Sequence, residues 1–330
     1  MVGSNLKVIV SAILGNLFIT IMKFVAWGIS LSPSMLAEAI HSAADTLNQI
    51  LLLIGQKQSK RLASRFHPRG FGSSSYLWNL ISAVGIFFIG FGVTFYHGLH
   101  SLLSPDHSPS ELSYIVLGVL LLSIIIEGYV FLSAYKEIKK HKKGLSYLEY
   151  FHETDDPSLL AVLLEDGVAV LGLLLALVGI CLGHYFQSPY FDIVAAILIS
   201  LLLGFMAIAL AFLNGKLLIG KSISLIREEE LKAFIERLPE VLKIEKFSTL
   251  VIGSSQVRLT MEIELNGEYL IDHPALVQDS HKIADGIEVL KVLIRTSERM
   301  VRITGNAINS IEAKILKQFP EVSIIDIEIN

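Results

Sequence analysis

Six stretches of mostly apolar residues follow one another through the first two thirds of the chain, at about 5–30, 34–55, 76–103, 112–135, 157–183 and 190–214. A helix that crosses a bilayer needs about 20 such residues, so the pattern predicts six membrane spans. The second stretch differs from the rest. "MLAEAIHSAADTLNQILLLIG", Met35 to Gly55, ends smoothly apolar, but its first half carries Glu38, His41, Asp45, Asn48 and Gln49.

Beyond "NGKLLIGKS" the pattern changes. "REEELKAFIERLP" has apolar residues at helical spacing, and "KIEKFSTLV" and "QVRLTMEIEL" alternate as strands around a turn at Gly253. Two helical runs follow, at about 274–294 and 296–318, and "EVSIIDIEIN" closes the chain as a strand with one buried face. The expectation is a six-helix, all-α transmembrane domain over residues 1–220. A small α+β domain of the ferredoxin-like kind is expected over residues 221–330, on the cytoplasmic side.

Composition agrees with a membrane chain. Hydrophobic residues make up 52% of the 330, charged residues only 18%, and the mean hydropathy is +0.60. The net charge of -4 comes from the last third, since the first 220 residues hold equal numbers of acids and bases. The single Cys181 allows neither an intrachain disulfide nor a thiolate zinc cluster. The N-terminus has no pattern of a removable signal peptide, so the first apolar run is expected to stay in the bilayer.

The connections assign orientation. Lys57, Lys60, Arg61, Arg65 and Arg69 lie between spans two and three, and Lys136, Lys139, Lys140, Lys142 and Lys143 follow span four. "SLSPS", "SPDHSPSE" and "GHYFQSPY" hold no Lys or Arg. The positive-inside rule then places both termini in the cytoplasm. A bacterial inner membrane is the expected host, with an organelle membrane giving the same pattern.

Ionisable residues within spans are costly unless paired, hydrated or bound to an ion. His41 and Asp45 stand four residues apart, on one helix face and about 6 Å apart along the axis. Imidazole plus carboxylate suits zinc or a similar divalent ion, and Asn48 lies on the same face. A hydrogen-bonded pair joining two helices is the alternative reading. Span five adds the adjacent Glu165 and Asp166, of which the 100° step per residue lets one aim at a site shared with span two. Span four adds Glu127, a proton relay or a structural partner. One polar cavity shared by spans two, four and five accounts for all three. Lys23 is expected to extend to the lipid headgroups, and Asn16 to hydrogen-bond a neighbouring helix. His97, His100, Asp106, His107 and His184 form a weaker cluster at the outer ends, read as interfacial polar residues. No His-Glu-x-x-His helix and no recognisable Ser or Cys nucleophile is present, so an enzyme is not expected.

The run "AEAIHSAAD", the "HPRGFG" after it, the "DP" opening of span five and the Asp of "PYFDIVAAILIS" resemble the cation diffusion facilitator family over nearly the whole chain. Within it, "DPSLLAVLLEDGVAVLG" is similar to the branch that contains the ninth human zinc transporter. The resemblance implies a homodimer that exchanges a divalent metal ion for protons by alternating access, with His41 and Asp45 as ligands and zinc as the transported ion. No resident cofactor and no nucleic-acid partner is implied. The family's span-five pair falls here on Glu165 and Ala169, which leaves Glu165 as first choice and Asp166 as second, with Asn48, Glu127 or water completing the shell. Manganese, cobalt or iron would also suit a site of one imidazole and several oxygens. In the loop His67 is read as a turn residue, since Phe71 occupies the family's later His position. The tail holds only His273 and His281, too few for a multi-histidine cluster. A membrane metal sensor or scaffold remains the alternative to a transporter, and it would concentrate its ligands in that tail.

Overall fold

The computed structural model describes residues 2–61, 63–68, 70–104, 113–141, 146, 158–253, 256–284 and 289–330. Arg69, Asp106, His107, Lys142, Lys143 and the Asp156-Pro157 opening of span five lie outside these. The chain divides into two compact units, Met1–Ile219 and Gly220–Asn330.

The first unit is helical. α1 (Val2–Ser30) and α2 (Pro33–Ser59) form an antiparallel hairpin. The chain reverses at Leu31, which takes φ 50, and α2 starts where Ser32 accepts the Met35 N–H at 3.1 Å, with Pro33 in the first turn. The third stretch is α3 (Ser74–Gly85), a π-helical segment (Ile86–Val93) and α4 (Thr94–Leu103). The apolar pattern gave no sign of this interruption, since every residue from Ile86 to Val93 is apolar or glycine. α5 (Tyr114–His141), α6 (Ser158–Phe186) and α7 (Tyr190–Ile219) complete the bundle.

α7 is the most heavily surrounded element, packing on α2, α3, α4 and α6, and α5 packs on α1 and α6. Its buried Ala196, Ile199, Leu203, Met206, Ala207 and Leu210 join Leu173, Ala176 and Ile180 of α6 in one core. Gly179 lets α6 and α7 approach, because a Cβ there would stand 2.6 Å from that of Ala195. Asp192, at the start of α7, accepts both the N–H and the hydroxyl of Ser34 and so ties the first turns of α7 and α2 together.

Among the described residues five segments are long and apolar enough to cross a membrane: Ile13–Ser30, Ser74–Leu103, Tyr114–Lys140, Leu159–Phe186 and Tyr190–Ile219. At 27 residues α2 has the length of a sixth. Its own polar side chains keep it out of that group.

In the second unit Gly220, with φ 120, turns the chain out of α7. α8 (Leu225–Glu236), β1 (Val241–Gly253), β2 (Gln256–Leu265), α9 (His273–Ala284), α10 (Val289–Gln318) and β3 (Val322–Ile329) follow. The sheet order is β1-β2-β3, with β1 antiparallel and β3 parallel to β2. β2, in the centre, buries Val257, Leu259, Met261, Ile263 and Leu265 on one face. Leu231 and Ile235 of α8, and Ala307, Ile311 and Ile315 of α10, are also buried.

Two expectations are corrected in this unit. The second long helical run begins at Val289 rather than 296, because nothing in "VLKVLIRTSERM" breaks the helix and Thr296 bonds back to the Val292 carbonyl at 3.0 Å. β3 does not bury one whole face. As an edge strand it buries only Val322 and leaves Ile329 exposed.

Candidate functional site

A cavity of about 260 Å³ opens between α1, α2, α5 and α6, and its wall contains four carboxylates, Asp45, Glu127, Glu165 and Asp166. Each helix reaches it through a stripe at helical spacing. α2 presents Ser42, Asp45 and Gln49, α5 presents Ile126, Glu127 and Val130, and α6 presents Val162, Glu165, Asp166 and Ala169. The α6 stripe runs i, i+3, i+4, i+7. It therefore takes in both adjacent acids, where one was expected to aim at the site.

His41 lies just outside the wall. It is buried, its Nε2 stands 3.5 Å from Asp45 Oδ2, and neither ring nitrogen has a hydrogen-bond partner. Asp45 Oδ1 and Asp166 Oδ2 are likewise buried without partners. Buried polar atoms in folded proteins are nearly always satisfied, so these four orphaned atoms, on the cavity wall and just behind it, mark a place suited to a polar guest. Among the described residues, however, no three His, Cys, Asp or Glu side chains are grouped closely enough to hold a metal ion. The donors surround the space but do not close on it.

Asn48 is held from two sides. Its amide N–H donates to Glu165 Oε1 at 2.7 Å and its carbonyl oxygen accepts from Ser82 Oγ at 2.7 Å. Both ends of the amide are therefore occupied. Asn48 orients Glu165 across the α2–α6 contact and anchors it to α3.

Lys23 corrects the sequence reading outright. It does not reach the headgroups. It is fully buried, with Nζ 3.0 Å from Glu38 Oε2 and 2.9 Å from Glu127 Oε1. Its four-carbon stem points into the bundle because two carboxylates are there to receive the charge. Sequence reading noticed Glu38 as polar but gave it no role. The signal was available, because Lys23 and Glu38 stand almost equally far from the Leu31–Ser32 turn, which puts them at one level of an antiparallel hairpin. Asn16 lines the cavity, and α1 bonds its neighbours through Lys23 and through Thr20, 3.2 Å from Thr46 on α2.

The other candidates stay apart. His67 is exposed in a tight turn, exchanging backbone hydrogen bonds with Ser64, and packs its ring on Phe71 at 4.3 Å. His100 stacks near Tyr96 at 6.0 Å. His273 and His281 lie exposed on α9.

Comparison with known proteins agrees with this architecture. Residues 9–219 match the cation efflux transmembrane domain, and the chain belongs to that family, the cation diffusion facilitators. It is 34% identical to the proton-coupled zinc antiporter SLC30A9, mitochondrial, of Xenopus laevis over 98% of its own length and 59% of that protein's. With the human protein of the same name it shares 32% identity over 98% of this chain and 58% of the relative. With metal tolerance protein C4 of Arabidopsis thaliana the figures are 30%, 98% and 73%. The chain thus spans less than three fifths of the length of the two vertebrate relatives. The likeness to the branch of the ninth human zinc transporter, first seen in span five, extends over the whole chain.

Proposed function

We propose that the protein exports a divalent metal cation, zinc in the first place, in exchange for protons. The observation that supports this most is the single cavity walled by Asp45, Glu127, Glu165 and Asp166 inside a bundle of membrane-length helices. The names of the vertebrate relatives, zinc antiporters coupled to protons, support the cargo and the exchange.

In this reading α2 is a sixth span, sheltered by its neighbours, and both termini lie on the side of the basic loops. The second unit is a ferredoxin-like cytoplasmic domain, and two copies of the chain form a homodimer in the lipid bilayer. A bacterial inner membrane fits the charge pattern. An organelle membrane fits it equally and agrees with the mitochondrial names of the relatives.

The ion enters between α2 and α6 and meets Asp45 and Glu165 first, with Asp166 beside them and His41 behind Asp45. Ligands must lose protons to bind, so binding releases protons and weakens as pH falls. Closure of α2 on α6 would gather the open donor set, and rocking of the helices would expose it alternately to the two sides. Protons from the far side then take the carboxylates and expel the ion. Glu127 supplies a fourth carboxylate to the pathway. Asn48, held at both ends, positions Glu165 rather than ligating. The predominance of oxygen donors favours manganese as the second cargo to test.

Equilibrium binding of zinc to the purified protein, followed by competition with an indicator at pH 6, 7 and 8, tests the site. Affinity should rise with pH and fall in Asp45→Asn and Glu165→Gln. Binding that ignores both substitutions would move the site elsewhere.

A further inference from the structure

Among the described residues Lys23 is the one lysine or arginine that is buried. Its ammonium joins three helices, through Glu38 on α2 and Glu127 on α5. Burying an ion pair is seldom a gain in stability, because desolvation offsets most of the attraction. Such a group within a membrane span is a functional candidate by default.

The two carboxylates are not equivalent. Glu38 has no surface on the cavity. Its second oxygen lies over Gly172 of α6, where a Cβ would collide with it, so backbone on one side and Lys23 on the other fix the group. Glu127 is 15% exposed, and it lines the cavity together with Asp45, Glu165 and Asp166. One of its oxygens holds Lys23, and the other is buried without a partner.

We propose that Lys23 is a tethered cation that stands in for the cargo. It occupies Glu127 when the cavity is empty, and it yields Glu127 to a divalent ion when one arrives. Glu38 keeps the lysine charge compensated throughout. The proposal rests on the reading that the cavity takes a divalent cation. Lys23 then acts as a positioning residue that sets affinity. Its charge repels and competes with the ion, which keeps binding weak enough for release, as any conducting or transporting site requires. Because Glu127 lets go of α1 when it turns to the ion, occupancy also loosens the α1–α5 contact.

The test is zinc uptake by proteoliposomes containing the full chain, at fixed pH, read as half-saturating concentration and maximal rate. Lys23→Met should lower the half-saturating concentration about tenfold, a coupling of ordinary size between linked events, and reduce the maximal rate through slower release. Lys23→Arg should restore the half-saturating concentration. Glu127→Gln, which keeps the Lys23–Glu38 pair, should move it the opposite way. Should Lys23→Met not fold, Glu127→Gln alone decides, since an unchanged half-saturation there overturns the proposal. It is also overturned if Lys23→Met lowers only the rate and the thermal stability. Asp45→Asn separates the two levels. Uptake that depends on Asp45 but whose half-saturation ignores Lys23 and Glu127 removes this proposal alone, whereas uptake indifferent to Asp45 removes the cavity reading beneath it.

Discussion

Asn48 donates to Glu165 Oε1 at 2.7 Å across the contact of α2 with α6, and Ser82 on α3 holds the other end of the same amide at 2.7 Å. Three helices thus agree on where one carboxylate points. Supporting groups of this kind typically matter 10–100-fold in metal affinity or activity. Asn48→Leu should therefore weaken zinc binding about 10–100-fold by indicator competition, and Ser82→Ala should weaken it less. In the Asn48→Leu background Glu165→Gln should cost less than it does alone, since the two share one interaction.

Packing at the α6–α7 crossing leaves no room at Gly179, where a Cβ would meet Ala195 Cβ at 2.6 Å and the Phe191 carbonyl at 3.1 Å. Gly179→Val should lower stability by about 1–3 kcal/mol, the usual cost of overpacking. Thermal unfolding in detergent would show it. Gly15→Ala is the control, because open space surrounds that position on α1, and it should leave the transition where it is or raise it slightly.

Much of this was legible in the sequence, for definite reasons. His41 and Asp45 could be paired because four residues on a helix share a face whatever the tertiary structure. The acids of α5 and α6 could be named because charge within apolar sequence is conspicuous. One shared cavity could be expected from the cost of burying them, but which side chains line it could not be read, since that depends on which stripe of each helix faces inward. Glu165 and Asp166 both reach the cavity because Val162 and Ala169 continue their stripe on either side. Lys23 was misread because a long stem can run outward or inward, and the two carboxylates that decide between them, Glu38 and Glu127, stand 15 and 104 residues away in sequence. The double engagement of Asn48 was hidden for the same reason, its partners lying 34 and 117 residues distant.

In the second unit burial pushes the Glu240 carboxyl up, but hydrogen bonds from Lys314 and Ser310 outweigh it and hold the group below the usual glutamate range. The sign follows. An acid depressed in the folded state adds stability that is fully present above its unfolded value, about 4.3, and lost as pH falls through the lower folded value. Glu240→Gln should cost about 1–2 kcal/mol at pH 7 and progressively less as pH falls below the unfolded value. Hydrogen exchange of the β2 amides, corrected for the intrinsic pH dependence, measures both.

Proton-coupled metal movement through the cavity is the central claim, and zinc uptake into proteoliposomes made acidic inside tests it most directly. The account predicts uptake that needs the pH gradient, stops when an ionophore collapses it, disappears in Asp45→Asn and falls at least about tenfold in Glu165→Gln. Uptake of equal rate without the gradient, or unaltered by both substitutions, would contradict it.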